Sequence, residues 1–262
     1  MLFQTLVIAS GSKGNSLLVQ TETSAILLDA GVSMRRIQES LEKVGIPFSK
    51  LAAILVSHEH SDHTRSVGAI SRKLKIPIFI NRSTFAQCDW KLGRVDDRLA
   101  FFHTGSSFQI GDIIVEAFSS SHDAADSCNF VFYPESDSNR KLGVATDLGY
   151  PTQLSLVKLA NTSTLVLESN HDEVMLMEGP YDWHLKQRIR SSQGHLSNSQ
   201  AVGLVSAIMH PGLKNLVLAH LSEINNDPRL AHSTMETFLQ SIRSEVNLIV
   251  AEQDKASGLI DI

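Results

Sequence analysis

Six consecutive residues, His58-Glu59-His60-Ser61-Asp62-His63, constrain this chain more than any other segment. Three imidazoles and an aspartate in so short a run are costly to fold unless a positive charge satisfies them. Imidazole nitrogen with carboxylate oxygen is the donor set that zinc, manganese and iron accept. Random assortment of this composition would produce the spacing in about one sequence of this length in a thousand, so a solvated histidine-rich loop is the weaker account. The run follows residues 51–56, a continuous apolar stretch of strand length, and strands of that kind usually have both faces covered. The cluster is therefore expected on a loop at the end of a buried strand, where alternate side chains can turn toward one point.

The same logic places further ligands. Strands are predicted at residues 113–118, 142–146 and 215–219, and His122, Asp147 and His220 each follow one of them. A carboxylate such as Asp147 can bridge two cations about 3.5–4 Å apart. For each of these residues alone, a polar group bonded to a turn is the competing account. His103 competes with His122 as a ligand, but it sits on an outer hairpin turning near Gly111-Asp112 and ranks below it.

Around these landmarks the chain reads as strands at 4–9, 16–20 and 25–29, with Gly11 to Asn15 turning between the first two. Met34, Ile37, Leu41 and Val44 then take up a helical period, capped by Ser33 and stopped by Gly45 and Pro47. In the second half, strands at 129–133, 164–167 and 246–251 alternate with helices at 151–160, 201–208 and 227–244. The second of these helices is introduced by a Ser197-x-x-Gln200 capping box. Strands come in meandering groups with helices between them, which predicts an α/β (α+β) fold with two packed sheets covered by helices. No repeat, low-complexity tract or linker divides the sequence, so one domain spanning residues 1–262 is expected.

Composition excludes several alternatives. Hydrophobic residues at 42% suffice for a substantial core, and no apolar run approaches the roughly 20 residues needed to cross a bilayer, so no membrane partner is expected. The start lacks the features of a secretory signal, and Cys88 and Cys128 form no framework, which reads as cytoplasmic. Against 23 Lys and Arg stand 28 Asp and Glu, a formal charge of -5, which argues against a generally basic coat for nucleic acid. Locally, Arg65, Arg72, Lys73, Lys75, Arg82, Lys91, Arg94 and Arg98 outnumber Asp89, Asp96 and Asp97; a backbone-binding groove and an ordinary solvated face remain equal accounts. Trp90 and Tyr181 to Trp183 are candidates to stack bases, or else core aromatics.

The arrangement His58-x-His60-x-Asp62-His63, followed by a lone His, a lone Asp and a final His, resembles the metallo-β-lactamase superfamily. Gly11-Ser12-Lys13-Gly14-Asn15-Ser16, Leu28-Asp29-Ala30-Gly31, Glu168-Ser169-Asn170-His171-Asp172 and Gly194-His195-Leu196-Ser197-Asn198 are similar to its YycJ (WalJ) branch, a relative of tRNase Z and other phosphodiesterases. The resemblance implies a four-layer αββα sandwich with two divalent metal ions, zinc or manganese with iron as a third option, along one edge. His58, His60 and His122 would bind the first ion and Asp62, His63 and His220 the second, with Asp147 bridging. Two such ions sharing a water would generate a hydroxide at physiological pH, with Asp62 orienting it.

His195 lies two residues before the Ser197 cap, where it and free helix N–H groups are expected to meet a phosphate. It would then protonate a departing alkoxide, as a His in a similar Gly-His motif does in tRNase Z-like enzymes. Glu168, His171 and Asp172 follow a strand, and His171 is taken as a substrate-binding candidate. These expectations describe a phosphodiesterase, most plausibly an exonuclease acting on a DNA or RNA end. A hydrolase of small or cyclic phosphodiesters, and a thioester or lactone hydrolase on the same fold, are the alternatives. No insertion of domain size separates Asp147 from His195, which counts against tRNA maturation. The oligomeric state is left open.

Overall fold

The computed structural model describes residues 2–262. Among the described residues, fourteen strands form two sheets of seven, and helices cover the outer face of each. The first sheet contains β1 (Phe3–Ala9), β2 (Ser16–Thr21), β3 (Ala25–Leu28), β4 (Ala53–Leu55), β5 (Ile78–Asn81), β6 (Leu99–Phe102) and β14 (Ile260–Asp261), in the order β14-β1-β2-β3-β4-β5-β6. The second contains β7 (Ser107–Ile110), β8 (Ile113–Ser119), β9 (Cys128–Pro134), β10 (Leu142–Ala145), β11 (Thr164–Glu168), β12 (Asn215–Ala219) and β13 (Asn247–Val250), in the order β13-β12-β11-β10-β9-β8-β7. Both sheets are mixed. Hairpins pair antiparallel on one side, while β3 through β6 and β10 through β13 pair in parallel through helical crossovers.

The central strands β3, β4, β10 and β11 read as largely apolar runs because each buries both faces. In β3, Ile26 and Leu28 enter the core between the sheets, against Phe130, Val144 and Val166, whereas Leu27 points outward to Ile37 and Leu41. Ile37 and Leu41 lie on α1 (Met34–Lys43), which is capped by Ser33 as its sequence requires. On the other side Leu165 and Leu167 of β11 pack under Leu204 and Val205 of α8 (Asn198–Ile208) and Met235 of α9 (Pro228–Ser241). Three apolar clusters separate four layers, and the αββα sandwich expected from the sequence is the observed fold. Cutting Leu27 or Ile54, both fully buried, to alanine would cost roughly 2–5 kcal/mol.

The expected helices begin and end close to their observed limits, and both halves of the Ser197/Gln200 capping box form. Short elements between residues 61 and 110 and between 173 and 190 go beyond the sequence reading. They are α2 (Ser61–Thr64), α3 (Val67–Leu74), α4 (Arg82–Leu92), α6 (Glu173–Glu178) and α7 (Trp183–Arg190); α5 (Gln153–Leu159) matches the predicted 151–160. None of the described helices is long and apolar enough to cross a membrane.

Candidate metal centre

Strand direction gathers the polar residues at one edge. β3 and β4 run parallel, as do β10, β11 and β12, and β8 shares the direction of β10 because both are antiparallel to β9. Asp29, the His58 loop, His122, Asp147, Glu168 and His220 thus all sit at or just beyond C-terminal strand ends. Asp29, Asp147 and His220 reverse the chain there with φ of 57, 53 and 55°, a left-handed conformation disfavoured for residues with a Cβ and concentrated at functional sites.

All seven predicted ligands converge. His58 Nε2 lies 3.1 Å from His60 Nδ1, and His122 Nε2 lies 3.4 Å from the same atom. His63 Nε2 is 3.4 Å from Asp62 Oδ2. Asp147 reaches both groups: Oδ1 is 3.6 Å from His122 Nε2 and 3.6 Å from His220 Nε2, and Oδ2 is 3.3 Å from His63 Nε2. His58, His60 and His122 form one potential ligand set, Asp62, His63 and His220 another. Within each set the donor atoms lie within 4.8 Å of one another. His103 is exposed, outside these sets.

The donor set fits divalent cations. Buried His220 Nε2 and Asp147 Oδ2 have no hydrogen-bond partner among the described residues, an expensive condition unless an ion completes them. The electrostatics agree. Burial alone would raise the pKa of Asp147, but His220, His63 and His122 hold it below its ordinary value; for Asp62 burial is likewise outweighed, chiefly by His63. His58 is pushed well down by burial and by the neighbouring imidazoles, and burial also lowers His122. Burial would lower His63 and His220 too, yet Asp147 and Asp29 lift His63 well up, and Asp147 with Glu168 lifts His220 to about 9. In the chain alone those two rings keep protons because the surrounding carboxylates demand positive charge. A divalent cation supplies that charge and displaces the protons.

A second set of contacts orients the ligands. Asp29 Oδ2 lies 2.8 Å from His63 Nδ1 and accepts from Ser57 Oγ at 2.7 Å. Glu168 is fully buried: Oε1 lies 2.8 Å from both His195 Nδ1 and His220 Nδ1, while Oε2 accepts from Leu148 N and Leu196 N at 2.9 and 3.0 Å. A buried ionised carboxylate only accepts, so each histidine donates from Nδ1 and turns Nε2 away. Sequence reasoning marked Glu168 only as one polar residue among several after a strand. Its two histidine partners lie 27 and 52 residues downstream.

The cleft over the cluster has a volume of about 230 Å³ and is bordered by His60, Asp62, His122, Asp147, His195 and His220, with Tyr181, Leu185, Arg188 and Ile189 on its outer wall. His171 does not border the cleft; it is 2% exposed, with a pKa pushed down to about 4 by burial, and its carbonyl accepts from Asn198 N at 2.9 Å. Its carbonyl fastens the loop before α8. At the start of α8 three N–H groups are already engaged: Ser197 N donates to Gln200 Oε1, Gln200 N to Ser197 Oγ, and Asn198 N to His171 O. The basic stretch 65–98 contributes no residue to the cleft wall; Arg72 is spent on Leu92 O, Arg98 on Asp97, and Arg82 lies over Phe101. Trp90 and Trp183 are exposed.

The beta-lactamase superfamily domain matches residues 24–221. The chain belongs to the metallo-β-lactamase superfamily. Within it the chain falls in the YycJ (WalJ) branch. It is 36% identical to exodeoxyribonuclease YycJ of Bacillus anthracis over 89% of this chain and 88% of that one. It is equally identical to exodeoxyribonuclease WalJ of Streptococcus pneumoniae over 89% and 87%. The fold is shared with the metallo-β-lactamase fold protein YhfI of Bacillus subtilis, at a TM-score of 0.72 and 15% identity over 98% of this chain and 99% of that one. This metallo-β-lactamase relative is a hydrolytic enzyme, and its fold implies divalent metal binding.

Proposed function

We propose that this hydrolase is a dinuclear metal-dependent phosphodiesterase acting as an exonuclease on a DNA end in the cytoplasm. His58, His60 and His122 would hold one cation and Asp62, His63 and His220 the other, with Asp147 between them. Zinc and manganese are the first candidates, since this nitrogen and oxygen donor set suits both. Such ions supply Lewis acidity and lower the pKa of a shared water toward neutrality.

The chain's own groups divide the remaining work. Asp62 is held by the Asn15 amide at 3.3 Å and borders the cleft, where its carboxylate orients the attacking water. His195 is the acid. Glu168 fixes its Nδ1–H and stabilises the imidazolium form, in which Nε2 carries the second proton and donates it to a phosphoryl oxygen and then to the departing alkoxide, leaving the neutral ring. This Glu168–His195 pair at the cleft is the observation that carries the phosphodiester assignment. A thiolate is a stable anion near neutral pH and leaves unaided, whereas a sugar alkoxide is far more basic and needs a proton. The names of the two curated relatives agree with DNA as substrate.

Purified protein with zinc or manganese should cleave end-labelled DNA and bis-p-nitrophenyl phosphate in a panel that also contains RNA and a thioester. His195→Ala should lower phosphodiester turnover about 10²- to 10⁴-fold at full metal content. Cleavage of the thioester alone would overturn the proposal.

A further inference from the structure

Opposite the histidine cluster, the outer cleft wall is the face of α7. Leu185, Arg188 and Ile189 recur at helical spacing on one side of α7, and Tyr181, just before the Asp182 cap, lines the same cleft. Asp182 caps the helix by accepting from Leu185 N at 3.0 Å. The last turn is tied to the reacting groups: Ile189 O accepts from His195 N at 2.9 Å, and Asp123 N donates to Gln193 O at 3.1 Å. Arg188 therefore keeps a fixed relation to His195 and to the loop that carries His122.

The Arg188 guanidinium is held without being used up. Its Nε donates to Asp123 Oδ2 at 2.5 Å, and among the described residues its Nη atoms make no hydrogen bond or ion pair. Four N–H donors in a rigid fork stay available, the geometry that grips a phosphate bidentately. Asp123 Oδ1 is 3.5 Å from His122 Nε2, so a carboxylate stands between the histidine cluster and the guanidinium. Arg188 is thereby kept one carboxylate's width outside the place where a scissile phosphate would meet His195. Leu185, one helical turn before Arg188, and Tyr181, just ahead of the helix, line the same cleft and offer aliphatic and ring surface to a nucleoside.

We infer that Arg188 binds the phosphate adjacent to the scissile one in a single DNA strand, with Tyr181 and Leu185 against the intervening nucleoside and Asp123 as the positioning residue for the guanidinium. This assignment rests on the phosphodiesterase reading above. It makes α7 the element that distinguishes a polynucleotide from an isolated phosphodiester.

The test compares wild type with Arg188→Ala and Arg188→Gln, each loaded with manganese. The substrates are bis-p-nitrophenyl phosphate, which contains one phosphate, and a labelled single-stranded oligodeoxynucleotide. The ratio of kcat/KM for the oligonucleotide to that for the small diester should fall roughly 10- to 100-fold in both variants, the loss of one charge-assisted contact. Fluorescence anisotropy on metal-stripped protein supplies a readout independent of turnover: the slope of log affinity against log salt should shrink by about 0.7. A ratio or a slope that stays at the wild-type value overturns the role of Arg188 while the phosphodiesterase reading stands. Wild-type protein that cuts neither substrate overturns both.

Discussion

Replacing Glu168 by glutamine tests the site at its most connected atom pair. The carboxylate has four donors on two oxygens: two imidazole Nδ1 atoms on Oε1 and the Leu148 and Leu196 amides on Oε2. Glutamine is isosteric but has one oxygen, so two of the four contacts must fail whichever way the amide faces. If its oxygen stays with the histidines, the NH2 group meets two backbone N–H groups. If it turns, the NH2 group faces both Nδ1 atoms, and each ring must move its proton to Nε2, which removes the lone pair of His220 that faces the cation position. Hydrogen bonds to a charged group contribute about 1.5–3 kcal/mol each, so the variant should lose at least roughly 3 kcal/mol. For a domain of this size that lowers Tm by about 6–12 °C. Misorienting a ligand from behind typically costs 10- to 100-fold in metal affinity, and disabling a general acid costs about 10²-fold or more. Thermal melting, metal content by mass spectrometry after dialysis against limiting zinc, and kcat/KM on end-labelled DNA, whose alkoxide leaving group needs the proton, would all respond. A Glu168→Gln protein with wild-type metal content and turnover would refute the tautomer argument.

Three further outcomes are expected. Gly31→Ala should yield poorly soluble or metal-deficient protein, because a Cβ there would lie 1.5 Å from Asp62 O and push the ligand loop aside; normal metal content would contradict the close approach. In chelator-stripped protein the raised His220 contributes stability that is complete below about pH 6.5, its unfolded value, and is lost as pH rises toward about 9. His63 acts in the same direction, so Tm of the stripped form should fall across that window, while the metal-loaded form, with the protons displaced, should not; a flat stripped profile would count against the charge balance. His171→Gln should lower Tm yet leave KM for DNA within about threefold, since the imidazole is buried outside the cleft; a large KM increase would return His171 to the substrate.

Legibility of the site followed distance along the chain. The His58 to His63 run is six residues long and carries its chemistry in composition alone, and His122, Asp147 and His220 could be found because each trails a recognisable apolar strand. Two packed sheets were readable for the same reason: runs such as Ala25–Leu28 and Thr164–Glu168 bury both faces and tolerate almost nothing polar. The short helices α2, α4, α6 and α7 were not, because each is defined by caps and tertiary contacts more than by an apolar stripe. In α4 only Thr84, Cys88 and Leu92 are buried, one residue per turn, and the exposed Trp90 breaks any hydrophobic period.

Glu168 illustrates the harder limit. A glutamate at a strand end is ordinary, and nothing in its neighbours announces that it will sit fully buried between two imidazoles and two amides drawn from three other segments. At His171 a polar pentapeptide suggested substrate contact, and the structure shows its carbonyl receiving Asn198 N. Both cases have one cause. A loop at this edge must satisfy its backbone before it can present side chains, so the residues that look functional are divided between ligands and fasteners. The strained backbone at Asp29, Asp147 and His220 marks where that division was resolved in favour of the side chain. Each holds a conformation disfavoured for non-glycine residues by about 1 kcal/mol or more, and glycine would relieve it at the loss of the carboxylate or imidazole.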